Sequence, residues 1–570
     1  MDKVVAQDKP RENIDHMKRL PAQILRILTR DEKRMSGWLL LSDVAVSIAD
    51  IVFLALLLVI IQYYTGAGAT GKLSFLPSKL FSQHTLVVIV IFFLLFSLKN
   101  LAGFLVYRAQ CKFLFRVASR ISRDKLTQYL EGGYASYIDT DSSVHIREVS
   151  YAPLEFCQHV LGGFQQMITQ AVLILLAIAG IVLFNARLFF LLLAILLPPV
   201  FVLSYLLKGR LHTIRKNAQR SSERSLQHLQ EALAGYVESN IYDKNEIFLD
   251  RFLHYQRQYN SYLSGQMILQ GAPSRLIEVF AILGVVVLIL IHEWSGLAGS
   301  SAVITIGVFM AAAYKIIPGI VKMLNLSGQI NTYAFTLQTL TPPASLTIKK
   351  DKETPAERIR SVRLEDIDFS FEGRSVLKGL SLELGTGDFL GIEGPSGKGK
   401  TTILNVLLGF LIPANGKVII NGAGSMRESW WRRISYVKQQ SFLIHDSIRN
   451  NITLNEAPCD ETRLRSAIDG AGLNDLIESL QGVDTVISEN GRNISGGQRQ
   501  RIVLARALYK EADLILLDEP FNELDEGSEC ALLQHFLQLA RAGKMIILIT
   551  HNRKSLSFCN KIISLHEQPS

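Results

Sequence analysis

The residues with the clearest chemistry run from Gly394 to Thr402, spelled Gly394-Pro395-Ser396-Gly397-Lys398-Gly399-Lys400-Thr401-Thr402. Gly394 to Thr401 fits the phosphate-loop pattern G-x-x-x-x-G-K-[ST]. Glycines there let backbone N–H groups turn inward and cradle phosphate oxygens. Lys400 would sit on the β- and γ-phosphates, and the Thr401 hydroxyl on Mg²⁺. Such a loop must be held between a strand and a helix, and both are legible. The apolar run Phe389-Leu390-Gly391-Ile392 reads as a buried strand. Thr402 to Leu408 reads as a helix whose N-terminus faces the anion.

The rest of the chain bounds what this loop serves. At 570 residues it exceeds a single core, so two or more domains are expected. Apolar residues make up 48%, unevenly spread: membrane-length runs come first, and soluble α/β alternation last. The formal charge of +9 would suit nucleic acid, but the excess Lys and Arg flank apolar spans, as the positive-inside rule expects. No nucleic-acid partner is expected. Cys111, Cys157, Cys459, Cys530 and Cys559 lack metal-ligand spacing and read as thiols in a reducing compartment. The polar start and a first apolar run too long for a signal give no expectation of a cleavable signal peptide.

Residues 1–36 read as a cytoplasmic N-terminus. Within it Ile24, Leu25 and Leu28 share a helical face flanked by Arg26, Arg30, Lys33 and Arg34. A helix lying on the inner membrane surface fits, and so does one docked on the protein. Six spans follow, near 37–63, 85–107, 158–184, 187–207, 278–294 and 302–322, each close to the roughly 20 residues a bilayer needs. The connections at 64–84, 185–186 and 292–301 are poor in Lys and Arg, whereas 108–157 and 208–277 are rich in both. Both termini are therefore expected in the cytoplasm of a bacterial inner-membrane protein. The two long cytoplasmic segments are helix-compatible but broken near Gly132-Gly133 and 139–143, and near 240–245. Paired helices joined by a transverse turn would fit each.

Charge within a span is costly unless paired or hydrated. Asp43, Asp50, Lys99 and Lys315 are such charges. Asp50, Lys99 and Lys315 are candidates for a polar substrate path, and Asp50 with Lys99 equally for a structural ion pair. Pro198-Pro199 and Pro318-Gly319 mark kinks. A linker is expected over 339–360, where Thr341-Pro342-Pro343 and Lys349 to Glu353 read as exposed. From Ser361 alternation at Val362, Leu364, Ile367, Phe369 and Phe371 reads as strands.

With the phosphate loop in this setting, the chain resembles an ATP-binding cassette (ABC) transporter of the exporter type over about residues 20–565. That resemblance implies a multidomain fold: an all-α six-helix transmembrane domain over 37–338, then an α/β phosphate-loop ATPase over 361–570. It assigns Phe371 to adenine stacking and Gln439 of Tyr436-Val437-Lys438-Gln439 to Mg²⁺ and to sensing the membrane domain. The usual Pro before that Gln is Lys438. Glu489 resembles the exporter loop that touches the coupling turns. Ile494-Ser495-Gly496-Gly497-Gln498 resembles the signature LSGGQ, with Ser495 and the glycine amides facing a γ-phosphate held by the opposite subunit. Leu514 to Leu517 lead into Asp518, a Mg²⁺ ligand, and Glu519, the general base. Asp525 matches the D-loop, although Pro520-Phe521-Asn522-Glu523 departs from the usual ATSA. His551 matches the switch histidine that contacts the γ-phosphate.

The resemblance implies a dimer, expected as a homodimer with a heterodimer open, because one cassette cannot complete its own ATP site. It implies ATP-driven export of a lipid-linked or amphipathic substrate by alternating access. A weaker similarity, at Ala272 to Glu278 and Ala313 to Pro318, points to lipid-linked oligosaccharide flippases. A peptide or drug exporter stays open, as does an ATP-gated channel or channel regulator, against which the full hydrolytic set argues.

Overall fold

The computed structural model describes residues 20–64, 85–131, 142–184, 198, 213–214, 217–294, 301–341, 357–371, 373–424, 428–480, 482–488 and 491–565. The chain divides near residue 347 into two compact units. Within the first, helices α1 (Arg30–Tyr64), α2 (Thr85–Leu130), α3 (Gly162–Phe184), α4 (Asn245–Trp294) and α5 (Ser301–Tyr333) contain five of the six expected spans. The span near 187–207 lies outside the described residues, save the single helical residue Pro198. At about 1.5 Å per residue, the 35, 46 and 50 residues of α1, α2 and α4 exceed the roughly 30 Å of hydrocarbon. These helices therefore continue beyond the bilayer. Among the described residues, Arg30–Phe53, Ile89–Leu130 and Val144–Ala179 are long and apolar enough to cross a membrane.

α1 begins with a reciprocal cap: Thr29 N donates to Glu32 Oε2 at 2.9 Å, and Glu32 N to Thr29 Oγ1 at 3.3 Å. Arg120 of α2 locks this start, donating to Glu32 Oε1 at 2.7 Å and to the Ile27 carbonyl at 3.1 Å. Residues 20–27 form a short helix before it. Its Leu20, Ile24 and Ile27, with Leu28, are buried among Phe113, Val117, Ile121, Phe156 and Val160, while Leu25 is half exposed. α3 packs on α5 and α1. Gly319, after Pro318 in α5, permits this approach, since a Cβ there would come within 2.6 Å of Gln170 Nε2.

The break expected near 139–143 falls partly on residues outside those described; Ser142–Ile146 is helical. The second break is visible. Tyr236–Ile241 is a short helix, Asp243 turns with φ 50°, and Lys244 N donates to the Ser239 carbonyl at 2.8 Å before α4 begins. Tyr236, Ile241 and Tyr242 at this turn are exposed.

The C-terminal unit contains two sheets. One is antiparallel, in the order β2 (Arg374–Gly385), β1 (Ser361–Phe371), β4 (Asn415–Ile420), β5 (Ala423–Gly424). The other is parallel, in the order β6 (Ile434–Val437), β7 (Leu514–Asp518), β8 (Met545–Ile549), β3 (Phe389–Glu393), β9 (Lys561–Ser564). Strand alternation sorts the parallel sheet into two cores. Ile515, Leu517, Ile546 and Leu548 face one, with helices α7 (Gly496–Tyr509) and α8 (Glu526–Arg541). Leu514, Leu516, Ile547 and Ile549 face the other, with helix α6 (Lys400–Leu407) and the antiparallel sheet. Burial on both faces explains why these strands read as continuous apolar runs.

Candidate active site

Because β6, β7, β8 and β3 are parallel, their C-terminal ends share one edge of the sheet. The chain leaves β3 into the phosphate loop, β7 into Glu519, β8 into Thr550-His551, and β6 into Gln439. β7, β8 and β3 are adjacent, with Asp518 opposite Ile549 and Ile549 opposite Ile392. Ligands of open α/β sheets bind outside this carboxyl edge. Distant stretches of sequence are thus brought to one place by strand order alone.

The phosphate loop is shaped by its glycines. Gly397 and Gly399 have φ of 78° and 86°, where side chains strain the backbone. At Gly399 a Cβ would also press on Val376 and Leu377, at 2.8 and 3.0 Å. Pro395, Ser396, Gly397 and Lys398 are exposed at the rim. Lys400 opens α6 and is buried; its Nζ donates to the carbonyls of Gly394 at 2.7 Å and Pro395 at 3.2 Å and lies 3.0 Å from His551 Nε2. Burial pushes the Lys400 ammonium below its ordinary pKa, partly offset by the charges of Glu519 and Asp518. Thr401 Oγ1 donates to Asp518 Oδ2 at 2.9 Å. Thr402 follows in the first turn of α6, half-buried.

The acids stand opposite. Burial pushes the Asp518 carboxyl up, against the hydrogen bond from Thr401. Glu519 has φ 48°, an unusual conformation for a non-glycine and one that clusters at functional sites. Its carboxylate is held from three sides: Gln439 Nε2 donates to Oε2 at 2.7 Å, Asn522 Nδ2 to Oε2 at 3.0 Å, and His551 Nε2 lies 2.9 Å from Oε1. The three residues expected to be catalytic, Glu519, His551 and Gln439, therefore join Lys400 in one network, beside the Thr401–Asp518 pair.

The sequence reading missed three members of this site. Asn522 is one, lying three residues after Glu519 on the same turn, a spacing that was legible. Tyr436 is another, its OH 3.4 Å from Asp518 Oδ2. Gln500 is the third, reaching the Glu519 carbonyl at 3.4 Å and accepting from Glu523 N at 3.1 Å. Nothing in local spacing marks Tyr436 or Gln500: the pairing of β6 with β7 brings Tyr436 to the acids, and the packing of α7 brings Gln500.

The signature residues form a helix start. Ser495 caps α7, accepting from Gln498 N at 3.3 Å, and Gln498 Oε1 accepts from Ser495 N at 2.8 Å. Gly496 and Gly497 are required for packing: a Cβ on Gly496 would collide with Glu523 Oε2, and one on Gly497 would lie 2.9 Å from the Glu523 carbonyl. Asp525 caps α8, accepting from Ser528 N at 2.9 Å. Phe371 is 46% exposed, its ring roughly perpendicular to that of Phe369 at 4.9 Å between centroids. Glu489 lies outside the described residues.

The donors present suit Mg²⁺. Thr401 and Asp518 offer adjacent hard oxygens, and among the described residues no group of three His, Cys, Asp or Glu forms a metal cage. An ion carried largely by nucleotide phosphates needs only one or two protein oxygens.

Family comparison decides what this site belongs to. Residues 377–522 match the ABC transporter family, and residues 37–272 match the ABC transporter transmembrane region. The chain is an ABC exporter. Its helical transmembrane domain and its ATPase domain are fused in one polypeptide, and it couples ATP hydrolysis to transport. It is similar to an ATP-dependent lipid A-core flippase of Ralstonia nicotianae, 26% identical over 447 residues, or 76% of this chain and 75% of that protein. It is also similar to a probable ABC transporter ATP-binding/permease protein of Haemophilus influenzae, 32% identical over 257 residues, or 43% of this chain and 46% of that one. Its fold matches that of a bacterial Atm1-family ABC exporter with ATP bound, with a TM-score of 0.73 at 19% identity, covering 94% of this exporter and 93% of that chain.

In the membrane domain the candidate charges separate. Lys99 is ion-paired with Asp50, and its Nζ lies 4.7 and 6.0 Å from the ring centroids of Phe96 and Phe53. The Lys99 side chain is 10% exposed. Asp43 accepts from Thr169 Oγ1 at 2.7 Å. Lys315 lies in α5, but its side chain is outside those described.

Proposed function

We propose that this exporter moves an amphipathic lipid across the cytoplasmic membrane, as a dimer with two composite ATP sites. The network centred on Glu519 carries the motor half of this reading. The substrate half is supported by the similarity to lipid A-core flippases. An amphipathic lipid with a polar head covers both that class and the lipid-linked glycans suggested by the residues around spans five and six. We take the subunits to be identical, because every hydrolytic residue is present in this chain, and both termini to be cytoplasmic.

In this mechanism the phosphate loop and Lys400 hold the β- and γ-phosphates of ATP, and Phe371 stacks on adenine. Pro395, Ser396, Gly397, Lys398, Gly399 and Thr402 line the cradle. The ion held by Thr401, Asp518 and Gln439 would neutralise charge on the phosphates. Glu519 accepts a proton from water as the water oxygen bonds to the γ-phosphorus and the bond to the β–γ bridging oxygen breaks. His551, beside both Glu519 and Lys400, orients the carboxylate and meets the γ-phosphate. Ser495 and the amides at Gly496 and Gly497, at the start of α7, face the γ-phosphate bound by the partner. Gln498 and Asp525 set the two helix starts that form this face. ATP binding closes the dimer, the exposed turn at 236–243 transmits closure to the spans, and hydrolysis reopens it.

Lys99 and Asp50 have two readings, substrate path and structural pair. Their mutual charge and the two phenyl rings around Lys99 favour the structural one. Lys315 remains the candidate on the path.

Reconstitution into proteoliposomes tests the substrate class. ATP-dependent loss of a labelled lipid A-core-type glycolipid from the outer leaflet of inside-out vesicles, abolished in Glu519→Gln, is expected. Movement of peptides or hydrophobic drugs with no movement of glycolipid would replace this reading with a general exporter.

A further inference from the structure

Two residues of opposite charge lie on the two motifs that the composite-site reading brings together. One is Lys398, exposed in the phosphate loop, whose ammonium has no ion-pair partner among the described residues. The other is Glu523, where the usual ATSA ends in alanine. The Glu523 carboxylate lies directly on Gly496, at the start of α7, with Arg499 Nη2 3.7 Å away, and its side chain is half exposed. An acid there is locally favourable, since the first turn of a helix presents unpaired N–H groups and a positive dipole end. Yet that is the surface proposed above to receive a γ-phosphate. Arg499 already stands beside this carboxylate, but an arriving γ-phosphate adds negative charge that calls for a further cation, because like charges a few ångströms apart repel strongly where water is excluded. Lys400 is already committed to the Gly394 and Pro395 carbonyls. The exposed cation that a phosphate loop brings to the signature face is Lys398.

We infer that on dimer closure Lys398 of one subunit pairs with the partner subunit's Glu523, twice per dimer by symmetry. The pair draws the carboxylate off the helix start as the γ-phosphate arrives, and couples ATP occupancy to subunit contact. This rests on the composite-site reading above. It makes Lys398 and Glu523 positioning residues at the interface and confines productive pairing to chains carrying both.

Charge exchange and cross-linking test it together in full-length protein in nanodiscs. Lys398→Glu and Glu523→Lys should each raise the ATP concentration for half-maximal hydrolysis about fivefold or more. The double exchange should return it to within about twofold of the native value. For chain identity, differently tagged Lys398→Cys and Glu523→Cys chains are co-expressed in a Glu519→Gln background and treated with a short bismaleimide, with chains lacking the new cysteines as the control. ATP should produce a cross-linked species carrying both tags. A Lys398→Glu defect not relieved by Glu523→Lys would mean that Lys398 serves the nucleotide alone, and absence of the doubly tagged species would also overturn the pairing. If that happens while the native protein is an active dimer, the composite-site reading stands and only the pair is lost. An active native monomer would remove both.

Discussion

The cassette and the membrane domain use polar side chains in opposite ways. In the cassette, six polar side chains from three strand ends and a helix start converge, each within about 3 Å of another. Among the described residues of the membrane domain, Asp50 and Lys99 form a pair with two phenyl rings beside Lys99, and Asp43 accepts from one threonine. Around them Phe93, Leu94, Leu98 and Phe104 of α2 are exposed, the surface a lipid-facing helix requires. Phosphate chemistry demands particular groups at fixed geometry. Spanning lipid demands only apolar length and internal hydrogen bonding. The motor is therefore specified residue by residue, and the substrate path is not.

Mutations sharpen this contrast, and the largest effects belong to the cassette. Glu519→Gln should lower the rate of ATP hydrolysis about 10²- to 10⁴-fold while retaining nucleotide binding, as loss of a general base does. A release assay for inorganic phosphate, with labelled ATP for binding, reads both. Lys400→Ala should cost about 10²- to 10³-fold in hydrolysis and weaken ATP binding as well, because it removes preorganised charge from the phosphates. If either variant hydrolysed ATP at the native rate, the network would be structural.

The membrane pair should behave differently. Lys99→Ala leaves Asp50 unpaired inside a span, which costs about 2.5–3.5 kcal/mol for a carboxylate at the centre of a membrane helix. We expect lower thermal stability in detergent with substrate stimulation preserved in the folded fraction. Replacing both together, as Lys99→Met with Asp50→Asn, should restore most of that stability. A stable Lys99→Ala variant that lost stimulation only would put Lys99 on the substrate path and break the contrast. The smallest effect expected is in Asn522→Ala. One neutral donor to Glu519 is removed and Gln439 remains, so hydrolysis should fall by roughly fivefold with little change in KM. Unchanged turnover would show that Gln439 and His551 suffice to hold the carboxylate.

The legibility of the chain follows the same division. Gly394 to Thr401, Ser495 to Gln498, and Asp518-Glu519 could be found in the sequence because each motif is spelled within a few consecutive residues. Their convergence follows from parallel strand order, whereas the apolar runs at 389–392, 514–517 and 545–549 mark only buried strands. Tyr436 and Gln500 escaped because their partners are set by neighbouring elements rather than by spacing, whereas Asn522, three residues after Glu519, was within reach of the spacing. At the N-terminus, amphipathicity could not say what Ile24 and Leu28 face. That was settled by tertiary packing on α2 and by Arg120, which reaches back 88 residues to Glu32. In the spans, Asp50 and Lys99 could be suspected as partners from their depth, but the placing of Phe53 and Phe96 beside Lys99 depends on helix rotation, which a uniformly apolar stretch leaves open.

The most direct test of the account is ATP hydrolysis by the purified protein in lipid nanodiscs, native and Glu519→Gln, with and without a lipid A-core-type glycolipid. The account predicts measurable basal activity in the native protein, stimulation by the glycolipid, and loss of both by at least about 100-fold in the variant. Full-rate hydrolysis in Glu519→Gln would contradict it.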